Sequence, residues 1–447
     1  MSIEFYNRLP TAQKIKEVYE QRGLSQEDIA KHLKCDIETI KLIENKDGVY
    51  SREQLEVLRE YLDIEAVVLD RHERNQYTGN LSMWRDFINQ GKLDDAIRVH
   101  ESFGLAEITY MPFDEELIML YKMFEVKFLM MQLNLDLAED ILEQIKPNIK
   151  NTYSEIRYHY HCNMGSLYIF HKNYPKALES FIAAYDVGFD DKGKYKHMIH
   201  YNLGMCYSYL GMSLRAIVHY ERTDNMFKRE AADFFPLLID NGLAVDYAII
   251  GEMNLAKKRL AECVKRAQAL SNKIYSCAAM RNLGWICFKE KDFDRALDYF
   301  AKADKFISEG EDAYFENLYF KNLCRIVMKS PLAEDELANA KKVLQEQGND
   351  YYQMLFTSLS HLLTLKDELS IKYIENTTIP RLIERYEYYK VFDYYELLEN
   401  LFEANGEKIK ALEIKVASSN LYKKMTQGGV TYEKEIDWPD FSLGYGN

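Results

Sequence analysis

The chain has 447 residues but only 8 Pro and 20 Gly, too few turn residues for a strand-rich fold, and its 47% apolar and 29% charged residues exclude a largely disordered chain. With 57 Lys+Arg against 71 Asp+Glu, the net charge of −14 excludes a protein that coats nucleic acid or anionic lipid over its whole surface. Seven cysteines without a C-x-x-C pair indicate neither a disulfide framework nor a zinc site and read as small core residues in a reducing compartment.

The N-terminal MSIEFYNRLPTAQ lacks the charged-then-apolar pattern of a secretory signal, and the most apolar window, Leu117 to Leu135, is interrupted by Lys122, Glu125 and Lys127. A soluble, cytoplasmic protein with no membrane partner is expected. In chain order, Thr11 to Gln21 forms a first helix with Ile15, Val18 and Tyr19 on one side, closed by Gly23. Ser25 caps a second helix with Asp28 as its capping-box partner, Asp36 caps a third over Ile37 to Glu44, and Gln54 to Leu62 forms a fourth on Leu55, Leu58 and Leu62.

The run Gly23-Leu-Ser-Gln-Glu-Asp-Ile-Ala-Lys-His-Leu33 followed by Thr39-Ile-Lys-Leu-Ile-Glu44 resembles the helix-turn-helix of Xre/Cro-type repressors over about 55 residues. A small Ala30 suits the close approach of two helices, and exposed residues that open the third helix would reach base edges in the major groove. The resemblance implies a DNA-binding set of Gln26, Ile37, Glu38 and Lys41, with Asn45 and Lys46 near the backbone. Glu38 would accept from a cytosine amino group and Ile37 would touch a thymine methyl. Residues 1–64 hold 10 Lys+Arg against 13 Asp+Glu, a net of −3, so weak or salt-sensitive DNA binding follows. The alternative is a helix-turn-helix kept as a folding or dimer module.

From about residue 80 the chain repeats. Alanine anchors at Ala96, Ala138, Ala177, Ala216, Ala256 and Ala296 stand 42, 39, 39, 40 and 40 residues apart, with Phe181, Tyr220, Leu260 or Phe300 four residues after the anchor. Gly165, Gly204, Ala244 and Gly284 precede the anchors at a near-constant distance. This resembles the tetratricopeptide repeat, a helix pair closed by small residues and an aromatic wedge. The 115 residues between Ala296 and Ala411 leave room for two divergent units, near 322–340 and 353–374, giving about nine helix pairs. The prolines fit such a map: Pro175 and Pro380 open helices, Pro112, Pro147 and Pro236 fall between repeats, and Pro331 lies in a loop.

The expected fold is all-α: a helix-turn-helix domain (1–66), a linker (67–80), a right-handed tetratricopeptide-like solenoid (81–427) and a tail (428–447) that carries Trp438. The repeat's concave face implies peptide-binding positions at Asn163, Asn202, Asn282 and Asn322, with Asn241 one residue out of register. Each asparagine amide can donate to one peptide carbonyl and accept from one peptide N–H. Arg281 and Lys321 would hold a carboxylate, and Tyr201, Met205 and Trp285 would supply apolar pockets. The alternative is that the asparagines cap or pack within their repeats and that Trp285 and Met205 are core.

A helix-turn-helix fused to such repeats resembles the RRNPP family of peptide-pheromone receptors. That resemblance implies a quorum-sensing transcriptional regulator that binds a short signalling peptide and, as a homodimer, a palindromic double-stranded operator. Two alternatives stand beside it: an adaptor for a partner protein's tail, and a phosphatase-type regulator of a response-regulator protein. His159 and His161, two apart on a helix, point away from each other and cannot share a metal. No H-E-x-x-H, P-loop or G-x-S-x-G motif occurs, so neither enzyme activity nor a cofactor is expected. The peptide, the operator, the dimer interface and the direction of control are not legible.

Overall fold

A computed structural model describes residues 11–44, 50–63, 71–103, 105, 114–188, 196–227, 235–308, 310–363 and 368–427; Asn45, Lys46, Pro112 and the expected tail lie outside these. Every regular element among the described residues is helical, as the scarcity of turn residues implies. The chain divides into two compact units, Met1–Ile199 and His200–Asn447.

The first unit opens with α1 (Thr11–Gln21), α2 (Gln26–His32), α3 (Ile37–Glu44) and α4 (Arg52–Tyr61). A reciprocal capping box starts α2: the Asp28 N–H donates to Ser25 Oγ at 3.3 Å and the Ser25 N–H to Asp28 Oδ2 at 2.8 Å. Ser51 and Gln54 form a second box, at 3.2 and 2.8 Å, so the fourth helix begins before the expected Gln54. Ile15, Tyr19, Ile29, Ala30, Ile40 and Leu58 form a common core for these four helices.

From Arg71 the described helices fall into consecutive pairs. In the first unit these are α5 (Arg71–Asn89) with α6 (Leu93–Ser102), α7 (Glu115–Met131) with α8 (Leu135–Ile145), and α9 (Ser154–Phe170) with α10 (Tyr174–Asp186). The next are α11 (Lys196–Tyr209) with α12 (Ser213–Phe227), α13 (Phe235–Ile249) with α14 (Met253–Ala269), and α15 (Lys273–Lys289) with α16 (Phe293–Ala303). Then come α17 (Asp312–Val327) with α18 (Leu332–Gln347), α19 (Asp350–Leu363) with α20 (Glu368–Tyr373) and α21 (Ile379–Glu384), and α22 (Tyr388–Ala404) with α23 (Lys408–Gln427). A π-helical turn, Ile374–Thr378, joins α20 to α21 directly before Pro380, whose missing N–H cannot complete an α-helical ladder. Pro236, expected between repeats, instead sits in the first turn of α13, where that missing donor costs nothing.

Helix α5 takes in residues 71–80, which the sequence alone assigns to a linker. The reason is a buried ion cluster invisible in local composition: Arg74 Nε donates to Asp114 Oδ2 at 2.6 Å and Nη2 to Glu116 Oε2 at 2.8 Å. Burial pushes the Glu116 carboxyl up to about 7 even beside that guanidinium.

The pairs pack as tetratricopeptide-like repeats. The Ala anchors at 96, 138, 177, 216, 256 and 296 are all fully buried. The turn within a pair puts one residue in the left-handed region at Lys172 (φ 57°), Gly211 (73°), Gly251 (91°) and Lys291 (64°), a register that repeats the period of the anchors. The small residues of the first helices have a steric purpose. A Cβ on Gly284 would stand 2.5 Å from the buried Phe300 ring, and one on Gly165 2.6 Å from that of Phe181. Gly284→Ala is therefore expected to cost about 1–3 kcal/mol by overpacking, more than its helix-propensity gain returns. Gly79→Ala on α5, which meets nothing within 4 Å, is expected to stabilise by up to about 1 kcal/mol; urea denaturation of both variants checks the opposite signs. All seven cysteines are free, with Cys35 half-buried and the others buried. No described helix is long and apolar enough to cross a membrane.

Candidate functional site

In the second unit, the first helices of successive pairs present Tyr201, Asn202 and Met205 on α11, Asn241 on α13, and Arg281 and Asn282 on α15, all half-buried. Asn282 Nδ2 donates to Asn241 Oδ1 at 3.0 Å, which ties the two amides together and leaves the Asn282 carbonyl and the Asn241 amino group without a partner among the described residues. These are one acceptor and one donor, the complement of a peptide unit. The Tyr201 ring rests 5.8 Å from that of Tyr220, and its phenol is pushed well above the usual range by burial. Arg281 forms no ion pair among the described residues; its charge acts at longer range on Glu316.

Glu316 belongs to a dense cluster built by α17, α19 and α22. Lys390, 1% exposed, donates to Glu316 Oε2 at 2.9 Å, to Glu387 Oε2 at 2.6 Å and to the Tyr351 hydroxyl at 2.9 Å. The Tyr389 hydroxyl donates to Glu316 Oε1 at 3.0 Å, and Arg385 lies 3.9 Å over the Tyr351 ring. Burial raises the Glu316 carboxyl, but Lys390 and Arg281 more than offset it and hold the group below its ordinary value.

Several expected positions are corrected. Asn163 is fully buried and donates to the Met123 carbonyl at 2.7 Å, tying α9 to α7. Asn322 is also fully buried and donates to the Leu318 carbonyl one turn back at 2.9 Å. The ladder of asparagines therefore shortens to Asn202, Asn241 and Asn282. Lys321 is paired with Asp304 at 2.9 Å, and so has no free charge for a ligand carboxylate. Trp285 is 6% exposed and its indole N–H donates to Asp393 Oδ2 at 3.1 Å, a contact from α15 to α22 that spacing could not foresee.

The N-terminal set is engaged internally. Gln26 Nε2 donates to Glu44 Oε2 at 2.5 Å, and Glu44, buried, also accepts from the Tyr19 hydroxyl at 2.5 Å. Lys41 pairs with Glu38 at 2.8 Å on the same helix, and Ile37 packs half-buried against the four-helix core. One Gln26 N–H is thus committed to Glu44, because a buried carboxylate needs its donors.

The tetratricopeptide repeat model matches residues 236–303, which are α13 to α16. A transcriptional activator, NprA of Geobacillus stearothermophilus, is 22% identical over 371 residues, 78% of this chain and 87% of that protein. A Rap protein solved in complex with competence and sporulation factor superposes with a TM-score of 0.70 at 15% identity, over 79% of this chain and 99% of the other. NprR in complex with its cognate peptide NprX gives a TM-score of 0.60 at 19% identity over 78% of this chain and 99% of the other. In fold, this chain resembles the RRNPP regulators. Aspartyl phosphate phosphatase F from Bacillus subtilis shares the fold as well, with a TM-score of 0.53 at 16% identity over 80% of this chain and 95% of the other. That likeness overturns the expectation of no enzyme activity drawn from missing motifs, since a protein of this fold is an aspartyl phosphate phosphatase.

Proposed function

We propose that the chain is a peptide-responsive regulator: the second unit receives a short peptide, and the output passes through a protein partner of the response-regulator class. The observation that carries this is the linked pair Asn241 and Asn282, flanked by Asn202 on α11 and by Arg281, which adjoins Asn282 on α15 and forms no ion pair among the described residues. In this arrangement the amides read the peptide backbone and Arg281 holds a carboxylate, either an acidic side chain or the C-terminus. Likeness to a peptide-bound NprR and to an aspartyl phosphate phosphatase supports both halves of the proposal.

A second reading, operator binding through α2 and α3, draws on the capped helix pair and on the similarity to the activator NprA. The internal engagement of Gln26 and Lys41 favours the protein output over it. Homodimer formation fits either output, because α23 presents Ile409, Leu412 and Val416 on one face at 77%, 61% and 49% exposure. The outputs separate in one comparison. Full-length protein is expected to accelerate phosphate loss from an aspartyl-phosphorylated response regulator, or to co-purify with it. A gel shift on the protein's own upstream DNA with no effect on phosphorylated partners would reverse the order of the two readings.

A further inference from the structure

A cavity of about 470 Å³ opens in the second unit between α13 and α15 on one side and α22 and α23 on the other. Its volume falls within the roughly 300–1,000 Å³ of small-ligand sites. Four rings line it, from Trp285, Tyr389, Phe392 and Tyr422, and Ser418 and Ser419 stand along α23. Trp285 and Tyr389 meet edge to face at 5.9 Å, and the indole is locked by its bond to Asp393.

The charges around the cavity are already matched. Lys289 is held by Asp393 at 2.9 Å and Glu396 at 2.6 Å, and Lys415 by Glu399 at 2.9 Å, so among the described residues no lining cation remains to recruit an anion. The cavity also continues the asparagine surface. Trp285 lies three residues after Asn282 on α15, and Ala248 seven after Asn241 on α13, spacings that keep one helix face.

We infer that this cavity is a specificity pocket for an uncharged aromatic side chain of the ligand peptide, next to the backbone-reading amides. The inference rests on the proposed peptide function for its biological occupant, but the pocket itself is testable without a peptide. The test labels the full chain with 5-fluorotryptophan, assigns the Trp285 ¹⁹F signal by its loss in Trp285→Phe, and titrates N-acetyl-phenylalaninamide, N-acetyl-glutamate and N-acetyl-lysinamide. The expected result is a saturable shift of the Trp285 signal with the phenylalanine probe alone, abolished in Ser418→Phe and Ser419→Phe, which fill the pocket from α23 while circular dichroism stays unchanged. No shift with the phenylalanine probe, or equal shifts with all three, would overturn the pocket.

A parallel affinity selection from a random heptapeptide library separates this from the functional reading. Peptides recovered with an aromatic residue fixed at one position, and losing it on Ser418→Phe, support the pocket. Peptides recovered without aromatic enrichment overturn it and leave the peptide function standing. A Trp285 shift with no peptide recovered keeps the pocket and removes the peptide as its occupant.

Discussion

Lys390→Met is expected to lower the stability of the second unit by about 3–5 kcal/mol, the cost of leaving a buried ion pair with one partner missing. Lys390 is the only cation within hydrogen-bonding distance of Glu316 among the described residues, and it also binds Glu387 and the Tyr351 hydroxyl. Methionine matches the length of the stem but takes the ammonium from both carboxylates, with side chains 13% and 18% exposed; Glu387 keeps Arg385 at 3.3 Å, whereas Glu316 keeps only the Tyr389 and Tyr352 hydroxyls. Among the described residues neither Arg281 nor Arg385 bonds to Glu316: Arg281 acts on it only through its charge, and Arg385 is held by Glu387 at 3.3 Å. Urea denaturation at neutral pH measures the loss. The variant is expected to recover stability on acidification, because protonating Glu316 removes the unmatched charge, and Lys390→Met combined with Glu316→Gln is expected to regain part of it at neutral pH.

Asp246→Asn is expected to reduce a fall in stability expected of the native protein between about pH 4 and pH 7, to which the raised Glu116 carboxyl also contributes. The Asp246 carboxyl on α13 is fully buried and neither oxygen has a hydrogen-bond partner at bonding geometry among the described residues; Ser213 and Ser208 lie near enough only to temper the effect. Burial pushes its pKa from 3.8 up to about 7. Below pH 4 the group is protonated in both states and costs nothing. As the pH rises the unfolded chain ionises first, so the folded state binds more protons and stability falls, levelling off above about pH 7. The gap between the two values corresponds to about 4 kcal/mol at 1.36 kcal/mol per pH unit. Chemical denaturation at pH 4 and pH 8 is expected to show a loss for the native chain that exceeds the asparagine variant's by about that amount, the loss left in the variant coming from other raised carboxyls such as Glu116.

What the sequence makes legible here is local and periodic. The Ser25 and Asp28 box, the left-handed turn at Gly23 and the Ala anchors are each set by residues within a turn or two, and each stands where its pattern places it. Gly284 and Phe300, 16 positions apart, form one repeat's own internal contact. The asparagines mark the limit of that logic. Position in the repeat fixes which helix face Asn163, Asn202, Asn282 and Asn322 occupy, but not whether a neighbouring helix covers that face. Asn163 and Asn322 are covered and turn to main-chain carbonyls; Asn202 and Asn282 are not.

Contacts between distant repeats were beyond reach for the same reason. Trp285 meets Asp393 across 108 residues and Lys390 meets Glu316 across 74, separations at which no period operates. A signal did exist in YYKVFDYY, where Lys390 and Asp393 are the two charges in an aromatic run. A charge in such a setting is buried only with a partner, and the partner had to come from elsewhere in the chain.

The central claim is that Asn202, Asn241 and Asn282 with Arg281 receive a peptide backbone. Its most direct test is recovery from a random heptapeptide library by the full chain and by an Asn202→Ala, Asn282→Ala variant, with thermal unfolding of both recorded alongside. Two lost backbone contacts of about 1–1.5 kcal/mol each predict at least a tenfold drop in recovery, with a melting temperature within a few degrees of the native value. Equal recovery by the two proteins, or no peptide retained by the native chain, would contradict it.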